Sequence, residues 1–281
     1  MSVPGTVAVI GGGTMGAGIV HVFLAAGSTV VLAEADAERA AAGVRNVEKS
    51  LRKAEERGKL TGSADDLLTR LSTATELGEL PEDTALAVEA VPERLDLKRS
   101  VFTAVAARCP DAVLASNTSS LSITQLAEGL PGERVIGMHF FNPVPVQALV
   151  ELVVHPGLPA EVVARVRGWA EALGKTVIEV RDSPGFATSR LGVAVGLEAI
   201  RMVEEGVASP EDIDTGMRLG YGWPMGPLRL TDLVGLDVRL SIAEHLATEL
   251  GPRFTPPQLM RDMVARGELG RKSGQGFFTW S

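Results

Sequence analysis

Short apolar runs, separated by glycine-containing turns and helix-like stretches, make up the first two thirds of the chain. The first run, Thr6–Ile10, is apolar and rich in β-branched residues, which is typical of a buried strand. A glycine-rich turn, a helix-like stretch over Met15–Ala26 and a second apolar run over Thr29–Ala33 follow it. Strand, helix and strand within about 30 residues form a βαβ unit, which predicts a parallel sheet.

Five later apolar runs predict further strands of this sheet. They are Ala85–Glu89, Ala112–Ser116, Arg134–Met138, Leu149–Val153 and Thr176–Val180. The segment before them is too long for a single crossover helix, and its first part is rich in Ala, Glu, Lys and Arg. We therefore expect a long helix over Asp36–Lys59 within a helical excursion from the sheet, such as a helix pair.

The pattern changes at Asp182–Gly185, where a Ser-Pro-Gly sequence ends the alternation of strands and helices. Three helix-like stretches follow, Phe186–Glu205, Pro210–Leu219 and Leu228–Leu250, with a turn-rich joint at Gly220–Pro227. The sequence therefore predicts an α/β domain over residues 1–184 and an all-α domain over residues 185–281.

Composition and charge narrow the classes of function. The 281 residues include 27 Lys and Arg against 35 Asp and Glu, a net charge of -8, which disfavours non-specific nucleic-acid binding. The single cysteine, Cys109, excludes an internal disulfide framework and a multi-cysteine metal site. Neither a signal peptide nor an apolar run of ~18 residues is present, so we expect a cytoplasmic protein with no membrane, nucleic-acid or metal partner.

The turn after the first strand fits the pattern G-x-G-x-x-G. It consists of Gly11, Gly12, Gly13, Thr14, Met15 and Gly16. It follows a strand, opens a helix, and has an acidic residue, Glu34, 18 positions after Gly16 at the end of the next strand. This context predicts a Rossmann-type doubly wound sheet that binds a dinucleotide, because the glycines permit a tight turn, close approach of a pyrophosphate and close helix packing. The alternative is a glycine-rich turn with no ligand.

Glu34 predicts which dinucleotide is bound. Its carboxylate accepts hydrogen bonds from ribose hydroxyls and repels a 2′-phosphate, which favours NAD over NADP. Asp36 lies close enough to share this role, and it is also a plausible N-cap for the helix that follows.

A histidine is the natural base for nicotinamide chemistry on an alcohol. Tyr221 lacks a lysine four positions later, where Met225 stands, so a Tyr-x-x-x-Lys site is absent. His139 is placed at the carboxyl end of a predicted parallel strand, where ligands gather, and Glu151 follows 12 residues later in another strand. A histidine oriented by a carboxylate is a general-base pair. A buried core histidine is an equally open interpretation of His139.

The segment Ser116–Leu121 follows another strand end and is rich in short hydroxyl and amide side chains. Such a cluster can bind a carbonyl or a ribose. Ser119 or Ser120 can equally cap a helix over Leu121–Leu130, and both interpretations can hold together.

Seven motifs, spread over nearly the whole chain, match the motifs of a single protein family. They are Val9–Gly18, Glu89–Glu93 with Lys98, Ser116–Thr124, Gly137–Val146, Asp182–Phe186, Tyr221–Pro227 and Gly270–Phe277. Together they resemble the L-3-hydroxyacyl-CoA dehydrogenase family, in particular its short bacterial 3-hydroxybutyryl-CoA dehydrogenases. The resemblance implies NAD-dependent oxidation of a 3-hydroxyacyl-CoA, or the reverse, by a homodimer whose helical C-terminal domain makes the dimer contact and closes over the cleft.

The resemblance also implies roles for individual residues. His139 matches the catalytic base, Glu151 the carboxylate that orients it, and Ser119 a serine that contacts both substrate and nicotinamide. The positions that match cofactor contacts are Glu93, Lys98, Asn142 and Lys272. Ser50 and Arg57, in the helical excursion, match positions that contact coenzyme A, although solvated charges on a helix are the alternative there.

Two departures from the family pattern concern the substrate. Relatives carry an asparagine before Arg190 that helps to hold the substrate carbonyl, and this chain has Ser189, which also donates a hydrogen bond but with a shorter reach. Relatives often have Met-Lys where this chain has Gln147 and Ala148. Three alternatives therefore stay open: a hydroxyacyl group on a carrier protein, a non-thioester alcohol such as a sugar acid or carnitine, and a non-catalytic NAD-binding protein. The presence of both His139 and Glu151 argues against the last.

Overall fold

The computed structural model describes residues 2–280 and divides into two compact units, with the division after Asp182. The first unit is a mostly parallel sheet with helices, and the second is helical. The predicted fold class is therefore confirmed. Met1 and Ser281, the outer ends of the two predicted domains, lie outside the described residues.

Eight strands of the described chain form one sheet. They are β1 (Thr6–Ile10), β2 (Thr29–Ala33), β3 (Leu71–Ala74), β4 (Leu86–Glu89), β5 (Val113–Ser116), β6 (Val135–Phe140), β7 (Leu149–Val154) and β8 (Thr176–Arg181). Their order is β3-β2-β1-β4-β5-β6-β7-β8, and all neighbours are parallel except β6 and β7, which are antiparallel. The chain runs outward from β1 through β2 and β3 and then returns to β4 on the other side of β1. The carboxyl ends of β1 and β4 therefore form a topological switch point, the usual place for a ligand in such a sheet.

Six α-helices belong to the part of the first unit that the structure describes. They are α1 (Thr14–Ala26), α2 (Ala37–Glu55), α3 (Ala64–Leu68), α4 (Leu95–Arg108), α5 (Ile123–Ala127) and α6 (Ala160–Ala172). The buried positions of α2 are Ala40, Gly43, Val47 and Leu51, spaced three or four apart as a helix packed by one face requires. The core between sheet and helices is built from the Val, Ile, Leu and Phe side chains of β1, β2, β4 and α1, which are almost wholly buried.

Three details of the first unit differ from the sequence prediction. The helical excursion contains a strand, β3, because Leu71–Ala74 is a short edge strand with exposed Ser72 and Thr73 and so lacks an apolar run. The helix α2 ends at Glu55, before Lys59, and the chain turns at Gly58 with φ 62°. The cap of α5 is Ser122, which accepts a hydrogen bond from Gln125 N at 3.2 Å; neither Ser119 nor Ser120 caps it.

Five helices form most of the second unit. They are α7 (Thr188–Glu204), α8 (Pro210–Gly220), α9 (Pro227–Val234), α10 (Leu236–Leu250) and α11 (Gln258–Ala265). The single helix predicted over Leu228–Leu250 is wrong, because Gly235 has φ 103° and ψ 129° and separates α9 from α10. Buried Asp232 accepts hydrogen bonds from the backbone N of Phe277 and Phe278 and from Trp280 Nε1, which ties the C-terminal segment to α9. Among the described residues, no helix is both long and apolar enough to cross a membrane.

Candidate active site

The glycine turn after β1 is tight and leaves no room for side chains at two positions. Gly11 has φ 102°, and a Cβ there would lie 2.8 Å from Ala90 O. A Cβ at Gly16 would lie only 1.7 Å from Gly11 O, so α1 packs against the turn only because this residue is glycine. A Cβ at Gly13, the N-cap of α1, would meet no heavy atom within 4 Å. The turn therefore presents open backbone at the N-terminus of α1, which is where a phosphate group binds.

The two acidic residues after β2 have different partners. Glu34 Oε1 accepts a hydrogen bond from Gly12 N at 2.5 Å, and Oε2 accepts one from Ala35 N at 3.2 Å. Asp36 Oδ1 accepts one from Arg39 N at 2.8 Å and is the N-cap of α2. The carboxylate against the glycine turn is therefore that of Glu34, and Asp36 serves as a helix cap.

A cavity of about 630 Å³ opens at the switch point, and we call it the glycine-turn cavity. Its lining includes Gly11, Gly13, Thr14, Met15 and Glu34 on one side and Ala90, Val91, Pro92, Leu97 and Val101 on the other. This size lies within the usual range for ligand pockets. Open backbone at a helix N-terminus, a carboxylate at the end of β2 and apolar walls fit a dinucleotide with an unmodified adenine ribose. The residues present therefore fit NAD.

Glu93 connects the cavity wall to the serine-rich segment after β5. Its Oε1 accepts hydrogen bonds from Thr118 Oγ1 at 2.5 Å and from the backbone N of Ser119 at 3.1 Å and of Ser120 at 3.3 Å. Burial acts to raise the pKa of Glu93, but the Lys98 ammonium and the Thr118 hydroxyl outweigh it, so the pKa lies below its ordinary value. Glu93 is therefore a carboxylate that holds the segment carrying Ser119.

Lys98 lies behind Glu93 and is 1% exposed. Its Nζ is 2.7 Å from Glu89 Oε1, 3.1 Å from Glu93 Oε2 and 3.2 Å from Val91 O. Glu89 ends β4, and its burial raises its pKa despite the adjacent ammonium. The three protons of Lys98 are thus directed at protein oxygens, whereas the Glu93 side chain is 37% exposed.

His139 and Glu151 are brought together by the antiparallel pairing of β6 with β7. They are directly opposite residues of the two strands, and His139 Nδ1 lies 3.0 Å from Glu151 Oε2. His139 is 7% exposed and Glu151 is fully buried. The Phe141 ring lies 4.5 Å from the imidazole, centre to centre. The fixed strand register therefore holds one ring nitrogen of His139 against a carboxylate.

A second cavity, of about 680 Å³, contains the two residues matched to coenzyme A contacts, and we call it the basic cavity. It is lined by His21, Ser50, Lys53, Ala54, Arg57, Lys59, Pro143, Pro145 and Val146. Three of these side chains are cationic and none is a carboxylate, so the cavity favours an anionic ligand. Asn142, matched to a cofactor contact, is exposed and immediately precedes this lining, in the connection that follows β6.

Two predicted site residues belong to the second unit. Ser189 is partly exposed in the first turn of α7. Lys272 Nζ lies 2.5 Å from Asp237 Oδ2, close to the break between α9 and α10. Within residues 2–280 no group of three or more His, Cys, Asp or Glu side chains is arranged to hold a metal ion.

Comparison with known proteins identifies the family. The family profile described as "3-hydroxyacyl-CoA dehydrogenase, NAD binding domain" matches residues 6–183, and that described as "3-hydroxyacyl-CoA dehydrogenase, C-terminal domain" matches residues 185–280. The chain belongs to the 3-hydroxyacyl-CoA dehydrogenase family. The resemblance drawn from the seven motifs, NAD as the cofactor and the class of NAD-dependent oxidoreductase are thereby confirmed.

Individual dehydrogenases of this family are similar over nearly their whole length. The 3-hydroxybutyryl-CoA dehydrogenase of Mycobacterium tuberculosis is 43% identical over 98% of both chains. The mitochondrial hydroxyacyl-coenzyme A dehydrogenase of Sus scrofa is 40% identical over 98% of this chain and 90% of its own length. The crystal structure of (S)-3-hydroxybutyryl-CoA dehydrogenase from Ralstonia eutropha has a TM-score of 0.93 at 41% identity and covers 99% of both chains.

Two further residues contact the predicted site residues Lys98 and Glu93. Glu89 holds Lys98, and Thr118 holds Glu93. The signal for Glu89 was present, since it stands at a strand end within the same motif as Glu93. His21 lies in α1, and nothing in its sequence context indicates that it contacts Ser50.

Proposed function

We propose that the chain oxidises a short-chain L-3-hydroxyacyl-CoA, such as 3-hydroxybutyryl-CoA, to the 3-ketoacyl-CoA with NAD, or catalyses the reverse reduction. The observation that carries the proposal is the 3.0 Å contact between His139 Nδ1 and Glu151 Oε2. An alcohol that loses a hydride must also lose its hydroxyl proton, and a histidine oriented by a carboxylate accepts that proton near neutral pH. Relatives named for 3-hydroxybutyryl-CoA support the substrate.

The proton transfer is assigned to one atom of His139. Glu151 holds Nδ1, so Nε2 is the ring nitrogen that takes the proton from the 3-hydroxyl oxygen. The ring then carries a positive charge, which the buried Glu151 carboxylate stabilises. Bound NAD supplies the acceptor for the hydride that leaves C3. In the reductive direction His139 starts as the imidazolium and returns its Nε2 proton to the 3-oxygen.

Two serines are proposed to hold the substrate oxygens. Ser119 is presented by a segment whose backbone Glu93 clamps, which fixes its position without using its hydroxyl. Ser189 stands where relatives carry asparagine, and its hydroxyl donates one hydrogen bond to the 3-oxygen or to the thioester carbonyl.

The cofactor contacts are proposed to fall into three groups. The turn of Gly11, Gly13, Thr14, Met15 and Gly16 binds the pyrophosphate, and Glu34 binds the adenine ribose. Glu93, Asn142 and Lys272 contact the remainder of the dinucleotide. Lys98 acts through Glu93, because its ammonium is directed at Glu89, Glu93 and Val91 O.

The basic cavity is the proposed site for the coenzyme A part of the substrate. Ser50 and Arg57 contact the coenzyme A part, and Lys53 and Lys59 add positive charge on the same wall of the cavity. A nucleotide that carries several phosphates is the ligand that such a wall attracts.

We further propose that the protein is cytoplasmic and forms a homodimer. The dimer is supported by exposed apolar side chains of the second unit, among them Leu191, Leu219 and Tyr221. Light scattering on the purified chain tests the dimer.

The proposed function is tested by NADH oxidation with acetoacetyl-CoA, with longer 3-ketoacyl-CoAs and with acetoacetyl groups on an acyl carrier protein. We expect the highest kcat/KM with acetoacetyl-CoA. Turnover of only the carrier-protein substrate would show that the acyl group is carried by a protein rather than by coenzyme A. Absence of turnover with every thioester would contradict the proposal.

A further inference from the structure

A buried histidine in the wall of the basic cavity contacts the serine that is matched to coenzyme A. His21 lies in the middle of α1 and is 4% exposed, and its Nδ1 is 2.8 Å from Ser50 Oγ on α2. Ser50 is partly exposed on the cavity wall. The buried ring and the serine hydroxyl therefore lie side by side in the wall of the space for the ligand.

The charge state of His21 defines what this contact can do. Burial, together with the positive charge of Lys175, lowers the pKa of His21 to about 4. Three further cations, Lys53, Arg57 and Lys59, line the same cavity as His21. The Lys175 ammonium itself donates to Val144 O at 2.6 Å and Gln147 O at 2.8 Å. His21 is therefore a neutral ring at pH 7, with one nitrogen that donates and one that accepts.

We propose that His21 is a positioning residue for substrate binding, which holds the Ser50 hydroxyl in the orientation that meets the coenzyme A part of the substrate. This inference rests on the proposed function. An exposed serine hydroxyl rotates among three staggered positions, and a hydrogen bond from a ring locked in the core selects one of them. With the hydrogen on Nδ1, His21 donates to Ser50 Oγ, and the serine keeps its own hydrogen to donate to an oxygen of the nucleotide.

The role predicts a characteristic pattern in the kinetics. Ser50 contacts the coenzyme A portion of the substrate, which does not change during the reaction. This contact therefore stabilises the ground state and the transition state equally. Its loss raises KM and leaves kcat unchanged. One hydrogen bond corresponds to a change in KM of about 3- to 10-fold.

The experiment compares His21→Leu with His21→Gln on two substrates. Acetoacetyl-CoA carries the nucleotide, whereas the N-acetylcysteamine thioester of acetoacetate lacks it. We expect His21→Leu to raise KM for acetoacetyl-CoA about 3- to 10-fold, to leave kcat unchanged, and to leave kcat/KM for the truncated thioester unchanged. His21→Gln, which keeps a donor and an acceptor, restores most of the lost affinity.

Controls separate this role from general loss of packing. His155→Leu removes another buried histidine of the same unit, whose Nε2 contacts Gly132 O, and leaves KM for acetoacetyl-CoA unchanged. In a double-mutant cycle, Ser50→Ala adds nothing to the KM of His21→Leu. Equal losses on both substrates, an additive cycle or an unchanged KM would each overturn the proposal. If the unsubstituted enzyme turned over neither thioester, the proposed function itself would have failed.

Discussion

At the scale of single residues, two carboxylates that end or face strands define the chemistry. Glu151 is fully buried and holds His139 Nδ1, and Glu34 holds Gly12 N at the glycine turn. Glu34 was predicted from its position at the end of a strand, and Glu151 from its position 12 residues after His139 in another strand. Neither hydrogen bond can be predicted from sequence, because spacing along the chain does not specify which atoms meet.

Glu34 is expected to determine the choice between NAD and NADP. Glu34→Ser removes the charge that repels a 2′-phosphate, so the ratio of kcat/KM for NADH to that for NADPH should fall by about tenfold or more. Glu34→Gln is the matched control for structure, since its amide oxygen still accepts from Gly12 N. An unchanged ratio in the serine variant would remove Glu34 from this role.

His21 is expected to make stability depend on pH. Its folded-state pKa of about 4 lies below the ordinary 6.5, so the unfolded chain binds more protons between these two values. The contribution is complete above pH 6.5 and is lost progressively as the pH falls to about 4, by at most about 3 kcal/mol. Urea unfolding at pH 7 and pH 4.5 measures it. The free energy of unfolding of His21→Gln should fall less than that of the wild type, and an equal fall in both would contradict the assignment.

At the scale of elements, the glycine turn and α1 act as one unit. Gly16 is required for packing, whereas Gly13 borders the glycine-turn cavity with nothing within 4 Å of its Cβ position. Alanine substitutions at Gly13 and Gly16 should therefore have different effects. Gly13→Ala is expected to keep the melting temperature and to raise KM for NADH, because the added methyl group occupies space needed by the pyrophosphate.

Gly16→Ala is expected to lower the melting temperature as well, because its Cβ would overlap Gly11 O. Thermal unfolding and NADH titration of both variants provide the measurements. Loss of folding in Gly13→Ala, or undisturbed folding in Gly16→Ala, would show that the turn does not divide these roles as proposed.

Most strands of the sheet were predicted from the sequence, and one strand and one helix break were not. Seven strands with apolar runs were predicted, since buried parallel strands have a strong pattern. The edge strand β3 was missed because Ser72 and Thr73 are polar and exposed, and the break at Gly235 was missed because apolar residues continue on both sides. Both misses occur where tertiary context, rather than periodicity, determines the backbone.

At the scale of the whole molecule, the first unit carries two separate cavities with different walls. The glycine-turn cavity joins an open helix N-terminus to apolar side chains, and the basic cavity is lined by three cations although the chain as a whole has a net charge of -8. The net charge therefore disfavours non-specific nucleic-acid binding but does not describe the local electrostatic field. That field depends on how α2 and the Pro143–Val146 segment fold together. The sequence predicted Ser50 and Arg57 only through resemblance to a family, because three-dimensional proximity is invisible to spacing.

His139, oriented by Glu151, is proposed to move the proton in 3-hydroxyacyl-CoA oxidation. The most direct test is single-turnover reduction of acetoacetyl-CoA by NADH in wild type and His139→Gln, with NADH affinity measured in parallel. We expect His139→Gln to lower the rate by about 10²- to 10⁴-fold with unchanged NADH affinity. The double variant His139→Gln, Glu151→Gln should be no slower than His139→Gln alone. A rate in His139→Gln close to that of the wild type would contradict this proposal.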